Sequence, residues 1–305
     1  MREIVDRGQR LWLLYLLVGI LATGGYFLLP SATVQNVFIV LIDSSVLAAI
    51  AAGILLHRPS HPRPWYLFAF GSTLVVAGDA FWAINSLGTE YLYPSVADVF
   101  YVGSIPLFVA GLLLIGRGGI GRNGANLIDP LILATSTGIL SWSFIVDPGM
   151  QGSSSLLLER LLSVTYLFVY VVLFAIVIRP LFVPEKRSPA LYLLCCSLVS
   201  LVVGDLAYGS ITSSTYEAYA AGGLFYAWLL LSTTFLGAAT LHPSMAALSE
   251  PVSEASAKLT WWRLVLLSGA MLLAPAVLAL QAALAKPIDV PLLVGLGGAV
   301  LAGGA

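Results

Sequence analysis

The amino-acid sequence predicts an all-α fold, a polytopic transmembrane helical bundle of about ten spans, and three observations carry that prediction. Of the 305 residues, 59% are hydrophobic and only 10% charged, with a mean hydropathy of +0.96. Soluble domains carry about 25% charged residues. Apolar runs of crossing length recur from one end of the chain to the other, and a helix needs about 20 such residues to traverse a bilayer. The charges, finally, fall in the gaps between runs and are sorted by sign.

The runs are 11–29, 37–56, 65–86, 99–116, 128–146, 161–182, 190–209, 221–241, 264–284 and one beginning at 290. The first follows Arg2, Arg7 and Arg10. It is longer than a signal-peptide core, which reaches about 15 residues, and has no clear small-x-small cleavage site, so it reads as an uncleaved span. The fifth carries Pro130 in its first turn, where proline is tolerated. Between the eighth and ninth lies the longest connection, His242 to Trp262, rich in Ser, Ala and Glu. Trp261-Trp262-Arg263 then anchors the start of span nine at an interface. The last run, Val290 to Ala305, stops after 16 residues, short of a full crossing. The expectation is a natural chain that continues into the cytoplasm.

With a cytoplasmic N-terminus, Arg2, Arg7, Arg10, Arg58, Arg63, Arg117, Arg122, Arg179, Lys186, Arg187, Lys258 and Arg263 all lie inside. Arg160 and Lys286 alone lie outside, a split of 12 against 2 among the 14 basic residues. Such a bias sets orientation and agrees with an even number of spans. The outer connections hold Glu90, Asp98, Asp147, Glu159, Glu217 and Asp289.

An internal repeat organises the chain. Tyr66-Leu67 through Gly78-Asp79 matches Tyr192-Leu193 through Gly204-Asp205, with thirteen residues from Tyr to Asp in both. Phe100-Tyr101 finds Phe225-Tyr226 at nearly the same offset, while the extension Pro94-Ser95-Val96-Ala97-Asp98 belongs to the first copy alone. Four spans return the chain to the side where it began, so the expected layout is two parallel four-helix repeats, 1–125 and 126–245. Residues 246–305 supply a cytoplasmic loop and spans nine and ten. Ligand sites in parallel-repeat membrane proteins tend to lie between the repeats.

Asp43, Asp79 and Asp205 are carboxylates within apolar runs, where a charge is costly and functional by default. At 1.5 Å per residue they sit about 6–11 Å below the outer interface, in a layer with no Lys or Arg. They must be protonated, hydrogen-bonded to groups such as Ser44, Ser45, Trp82 and Tyr208, or open to a wet cavity that accepts a cation. The functional reading is an outward-open ligand pocket lined by Asp79, Trp82, Asn85, Asp98, Tyr101, Asp205 and Tyr208, with Asp43 secondary. Residues 79 and 82, like 205 and 208, share a helix face at i,i+3. The competing reading makes these aspartates hydrogen-bonded ties between helices. Ser95 and Asp98 also form a capping-box-like pair at the start of span four. Asp129 beside Pro130 reads as a cap or loop anchor.

Other patterns point away from chemistry. Gly116-Arg117-Gly118-Gly119-Ile120-Gly121 spells a dinucleotide fingerprint but follows a membrane helix rather than a strand. The Gly-Asp pairs lack the first glycine of an intramembrane aspartyl protease loop, with Val76 and Val202 in its place. Cys195 and Cys196 are adjacent and read as two small core residues, with no metal-type spacing. His57, His61 and His242 read as interface residues at cytoplasmic helix ends. No nucleophile–base or metal-ligand set converges, so no catalytic or metal residue is assigned and no cofactor is named. A net charge of −1 gives no reason to expect nucleic acid.

Trp82 through Asn85, then Tyr93-Pro94-Ser95-Val96-Ala97-Asp98-Val99-Phe100-Tyr101 and an apolar helix with Gly111-Leu112-Leu113, carry a resemblance. The chain resembles the multispanning N-terminal membrane region of bacterial, especially actinobacterial, cyclic-di-GMP signalling proteins. There the membrane region precedes cytoplasmic GGDEF and often EAL domains. The likeness includes the Trp-Arg start of span nine and Pro287-Ile288-Asp289-Val290-Pro291. It implies a sensory input module of the bacterial cytoplasmic membrane that passes a stimulus to an output domain, a diguanylate cyclase or phosphodiesterase. Neither a GGDEF nor an EAL sequence occurs here, so the chain itself is not expected to be an enzyme. Expected partners are the lipid bilayer, an output domain in cis and, as a further arrangement, a second copy of the chain. A small-molecule or cation transporter or channel is the alternative.

Overall fold

The computed structural model describes residues 2–85, 87, 95–116, 173, 187–212, 223 and 225–250, with side chains placed from Arg10 onward and not over 205–212. Among the described residues the regular elements are all helices. They are α1 (Arg2–Tyr26), α2 (Ala32–His57), α3 (Arg63–Asn85), α4 (Val96–Gly116), α5 (Pro189–Thr212), α6 (Phe225–Leu241) and the single turn α7 (Met245–Leu248). These correspond to predicted spans one to four, seven and eight. Predicted spans five, six, nine and ten lie outside the described residues. Residues 1–117 and 184–252 form one compact unit, and a second is formed by 118–183 and 253–305.

Local chemistry explains where the helices start and stop. Ser31 caps α2, its Oγ accepting from Val34 N at 3.4 Å. At the other end Arg58 takes a left-handed conformation (φ 43°) and donates its N–H to Ile54 O, closing the helix, and Pro59 follows. α3 opens just after Pro62, with Pro64 in its first turn, where the missing N–H would have had no partner anyway. α4 begins on the predicted capping box: Ser95 N donates to Asp98 Oδ2 at 2.7 Å, and Ala97 N donates to Ser95 Oγ at 3.2 Å. It then continues through Pro106 to Gly116.

α2, α3 and α4 (to Ile115) are long and apolar enough to cross a membrane, and shorter apolar helices cover Arg10–Tyr26, Pro189–Gly204 and Phe225–Leu241. Their outward faces are apolar too: Leu14, Leu17, Leu41, Leu55, Phe70, Ile84 and Val99 are exposed. In water such a surface would drive aggregation, whereas hydrocarbon accepts it, so the described helices are compatible with a membrane protein.

α6 is the hub. It packs on α5, α1 and α2, while α2 also packs on α3 and α3 on α4. Beside Phe225, Leu230 and Leu241, its buried residues are small: Ser232, Thr234, Gly237, Ala238, Ala239 and Thr240. They let backbones approach closely, the packing that operates between helices in lipid. A Cβ on Gly53 of α2 would collide with the Thr240 carbonyl oxygen, one on Gly19 of α1 with the Thr234 side chain, and one on Gly237 with the Tyr15 ring. Contacts 19–234 and 15–237 run in opposite senses, so α1 is antiparallel to α6. Contacts 43–233 and 57–241 run in the same sense, so α2 is parallel to it.

One expectation needs correction. Cys195 is partly buried but Cys196 is exposed, so the two are not both core residues. Neighbours on a helix point about 100° apart, and one buried face rarely holds both.

Candidate functional site

Four helices bring polar side chains together about midway along α2. Asp43 is nine-tenths buried and accepts a short hydrogen bond from Thr233 Oγ1 of α6, 2.6 Å to Oδ1. Asp79 of α3 accepts from the Tyr101 hydroxyl of α4, 2.9 Å to Oδ1. The two acids interact side chain to side chain across the α2–α3 interface. Asp79 Oδ2 is buried, and among the described residues no donor reaches it.

The fold explains each placement. Gly78 lets the α4 helix come close, since a Cβ there would stand 2.6 Å from Tyr101 Cε1. The Tyr101 ring fills the gap left by the missing side chain, and its hydroxyl reaches the next residue, Asp79. Thr233 sits four residues after Leu229, whose carbonyl lies 3.2 Å from the same hydroxyl. One hydroxyl proton serves both acceptors, and the shorter distance assigns it to Asp43. A further hydroxyl pair borders Asp43. Ser45 Oγ donates to Ile42 O at 2.6 Å, so Tyr15 of α1 is the donor in the 2.7 Å bond between Tyr15 and Ser45.

Taking a carboxylate out of water is costly unless it is hydrogen-bonded or paired, and Thr233 and Tyr101 supply one hydrogen bond to each acid.

The sequence-predicted residues divide accordingly. Asp79 and Tyr101 are brought into contact, and Asp43, taken as secondary, is a full member of the centre. Asp98 caps α4, Trp82 is half-buried and Asn85 is exposed at the end of α3. The side chains of Asp205 and Tyr208 lie outside the described residues, as does Asp129. Ser44 and Ser45, expected as partners of the acids, donate to the carbonyls of Val40 and Ile42 in their own helix. Thr233 and Tyr15 were not foreseen. A threonine in an apolar helix carries no signal by itself, because its hydroxyl is ordinarily satisfied by the preceding turn.

The opposite end of the unit holds a second polar cluster. His57 Nε2 meets Leu241 O at 2.8 Å, His242 Nδ1 meets Ser244 Oγ at 2.8 Å, and the Trp12 and His242 rings meet edge-on at 4.9 Å. Trp65 Nε1 donates to Ser249 Oγ at 3.1 Å. Burial, and then the nearby His57, hold the pKa of His242 below its ordinary value. These bonds tie the ends of α1, α2, α3 and α6 together and read as structural. Among the described residues no group of three or more His, Cys, Asp or Glu side chains could hold a metal ion.

Comparison of the chain with protein-family models, with curated proteins and with solved structures gives no match.

Proposed function

We propose that the chain is the membrane-embedded input module of a bacterial signalling protein, placed in the cytoplasmic membrane with its N-terminus inside. In this reading it has ten spans, arranged as two parallel four-helix repeats plus two C-terminal spans. It relays an external or intramembrane stimulus to a cytoplasmic output domain of the diguanylate cyclase or phosphodiesterase class. The observation that carries the reading is the acid centre, where Asp43, Asp79, Tyr101 and Thr233 belong to four different helices. A change of ligand or proton there alters how α2, α3, α4 and α6 pack, which is what a two-state relay needs. The resemblance at Trp82–Asn85 and Tyr93–Tyr101 supplies the output class.

The directions of the described helices support an even number of crossings in the intervening chain. α4 is antiparallel to α3 and α5 is antiparallel to α6, as the contacts of Gly78 with Tyr101, Gly71 with Phe108, Gly204 with Leu229 and Ser197 with Ser232 require. With α2 parallel to α6, α4 ends and α5 begins at the same end of the unit, as spans five and six demand.

A second reading, a cation or small-molecule transporter or channel, draws on the same buried oxygen of Asp79. Against it, α2, α3 and α6 pass the level of the acids without a break, whereas transporters often bind ions at interrupted helices. The test is Asp79→Asn and Asp205→Asn in the full-length protein, with membrane insertion and cellular cyclic-di-GMP measured together. Altered output with normal insertion supports the input module. Unchanged output in both removes it, and Asp79-dependent uptake or current in proteoliposomes establishes the transporter.

A further inference from the structure

The input reading leaves the ligand of the acid centre open. Three observations bear on it. The Asp43 and Asp79 side chains interact directly across the α2–α3 interface. Asp79 Oδ2 is buried, without a donor among the described residues. The remaining oxygens engaged at the pair are already taken by one donor each, Tyr101 on Asp79 Oδ1 and Thr233 on Asp43 Oδ1.

We propose that Asp43 and Asp79 form a proton-binding site in which the two carboxyls share a single proton across the α2–α3 interface, Tyr101 and Thr233 each donating to Oδ1 of one acid. This deepens the input reading and rests on it for its biological meaning, because the proton becomes the stimulus that the module detects. Binding is a simple acid–base step. A hydronium ion in the water phase gives up its proton, one carboxylate oxygen takes it, and the new O–H donates to the facing carboxylate.

A proton fits this centre better than a metal cation. A proton needs two oxygens, and the two acids interact side chain to side chain. An alkali or alkaline-earth ion needs about six oxygen ligands, and the described hydroxyls at the pair are spent as donors, with their hydrogens between oxygen and acid. Among the described residues, the titratable side chains that act on the pair are Tyr15 of α1 and Tyr101 of α4, both hydroxyls. On α2 itself the nearest bases are His57 and Arg58, 14 and 15 residues from Asp43, about 21 Å along the helix. On α3 the nearest is Arg63, 16 residues before Asp79. Arg10 of α1 lies at that same end, two residues before Trp12, which meets His242.

Infrared difference spectroscopy of the full chain in lipid nanodiscs, stepped in pH with protons as the only added ligand, tests the site. The expected result is one protonated-carboxyl stretching band that shifts in deuterium oxide. It should disappear in Asp43→Asn and again in Asp79→Asn, because each acid holds the same proton, and persist in Asp98→Asn. Tyr101→Phe leaves both acids in place, so it should keep the band and move its frequency; this variant reads the site even if an Asn variant fails to fold. The proposal is overturned if the native chain shows no such band. It is likewise overturned if the band survives either Asn substitution in folded protein, if Tyr101→Phe leaves its frequency unmoved, or if sodium displaces it at constant pH. The readout is independent of signalling. A band that behaves as expected beside an unaltered cyclic-di-GMP output would leave the proton site standing and remove the input reading alone.

Discussion

The helical hairpins α3–α4 and α5–α6 repeat a sequence pattern and use it differently. In the first, the Tyr101 ring lies against Gly78 and its hydroxyl binds Asp79. In the second, the space at Gly204 is filled by Leu229 and the Trp228 Cβ. The matching tyrosine, Tyr226, instead packs on Phe225 and Tyr26, with ring centroids 4.1 and 5.6 Å away. The spacing explains the difference. Gly78 to Tyr101 is 23 residues and Gly204 to Tyr226 is 22. Positions one apart on a helix point about 100° apart around its axis, so the two tyrosines are not equivalent in register with their glycines. A duplicated pattern thus sets one tyrosine on its glycine and acid and the other against aromatic rings.

The largest contrast should come from the glycines. Gly78→Ala places a Cβ 2.6 Å from a ring fixed by its own hydrogen bond. Overpacking of this kind costs about 1–3 kcal/mol, partly offset by a helix-propensity gain of about 1 kcal/mol. Gly204→Ala meets the flexible Leu229 Cδ2 at 3.0 Å, which can move, so the same propensity gain should leave it near neutral. Reversible unfolding in mixed micelles reads both, and equal losses would erase the contrast.

Next in size is Thr233→Val, which strips Asp43 of its 2.6 Å donor. A buried acceptor left without its partner loses about 1–3 kcal/mol. Ser232→Ala on the same helix removes only a 3.3 Å contact with Ser197 and should lose less. The order of the two unfolding free energies checks whether the acid centre, rather than the α5–α6 seam, depends on α6.

Ser95→Ala sharpens the difference at the helix starts, because the capping box belongs to the first hairpin alone. A loss of about 0.5–2 kcal/mol is expected, seen as faster amide exchange over Val96–Phe100 with α6 unaffected.

The smallest effect concerns the far end. With the pKa of His242 lowered in the folded state, the unfolded chain binds more protons, so stability falls as pH drops below about 6.5, the ordinary histidine value. A modest decrease in melting temperature between pH 7 and pH 5 should shrink in His242→Gln. The side chain is only half-buried, so solvent screening keeps the effect modest.

Much of the fold was legible in the sequence. α2, α3 and α5 fall close to the predicted runs because length and hydropathy alone decide whether a segment can cross a bilayer. The box at Ser95 and Asp98 was legible because capping is local. Partners across helices were not. These helices are apolar nearly all round, so no stripe marks the buried face, and the pairing of Asp43 with Asp79 depends on which helix packs beside α2. The same blindness hid Thr233, whose importance arises only because α6 runs parallel to α2 at the hub.

A double-mutant cycle on the two acids addresses the central claim most directly. Asp43→Asn, Asp79→Asn and the double variant are unfolded in the same mixed micelles. If the carboxyls share a buried proton across the α2–α3 interface, the single losses should fail to add, with a coupling of at least about 1 kcal/mol. Additivity to within about 0.3 kcal/mol would mean that the acids do not meet.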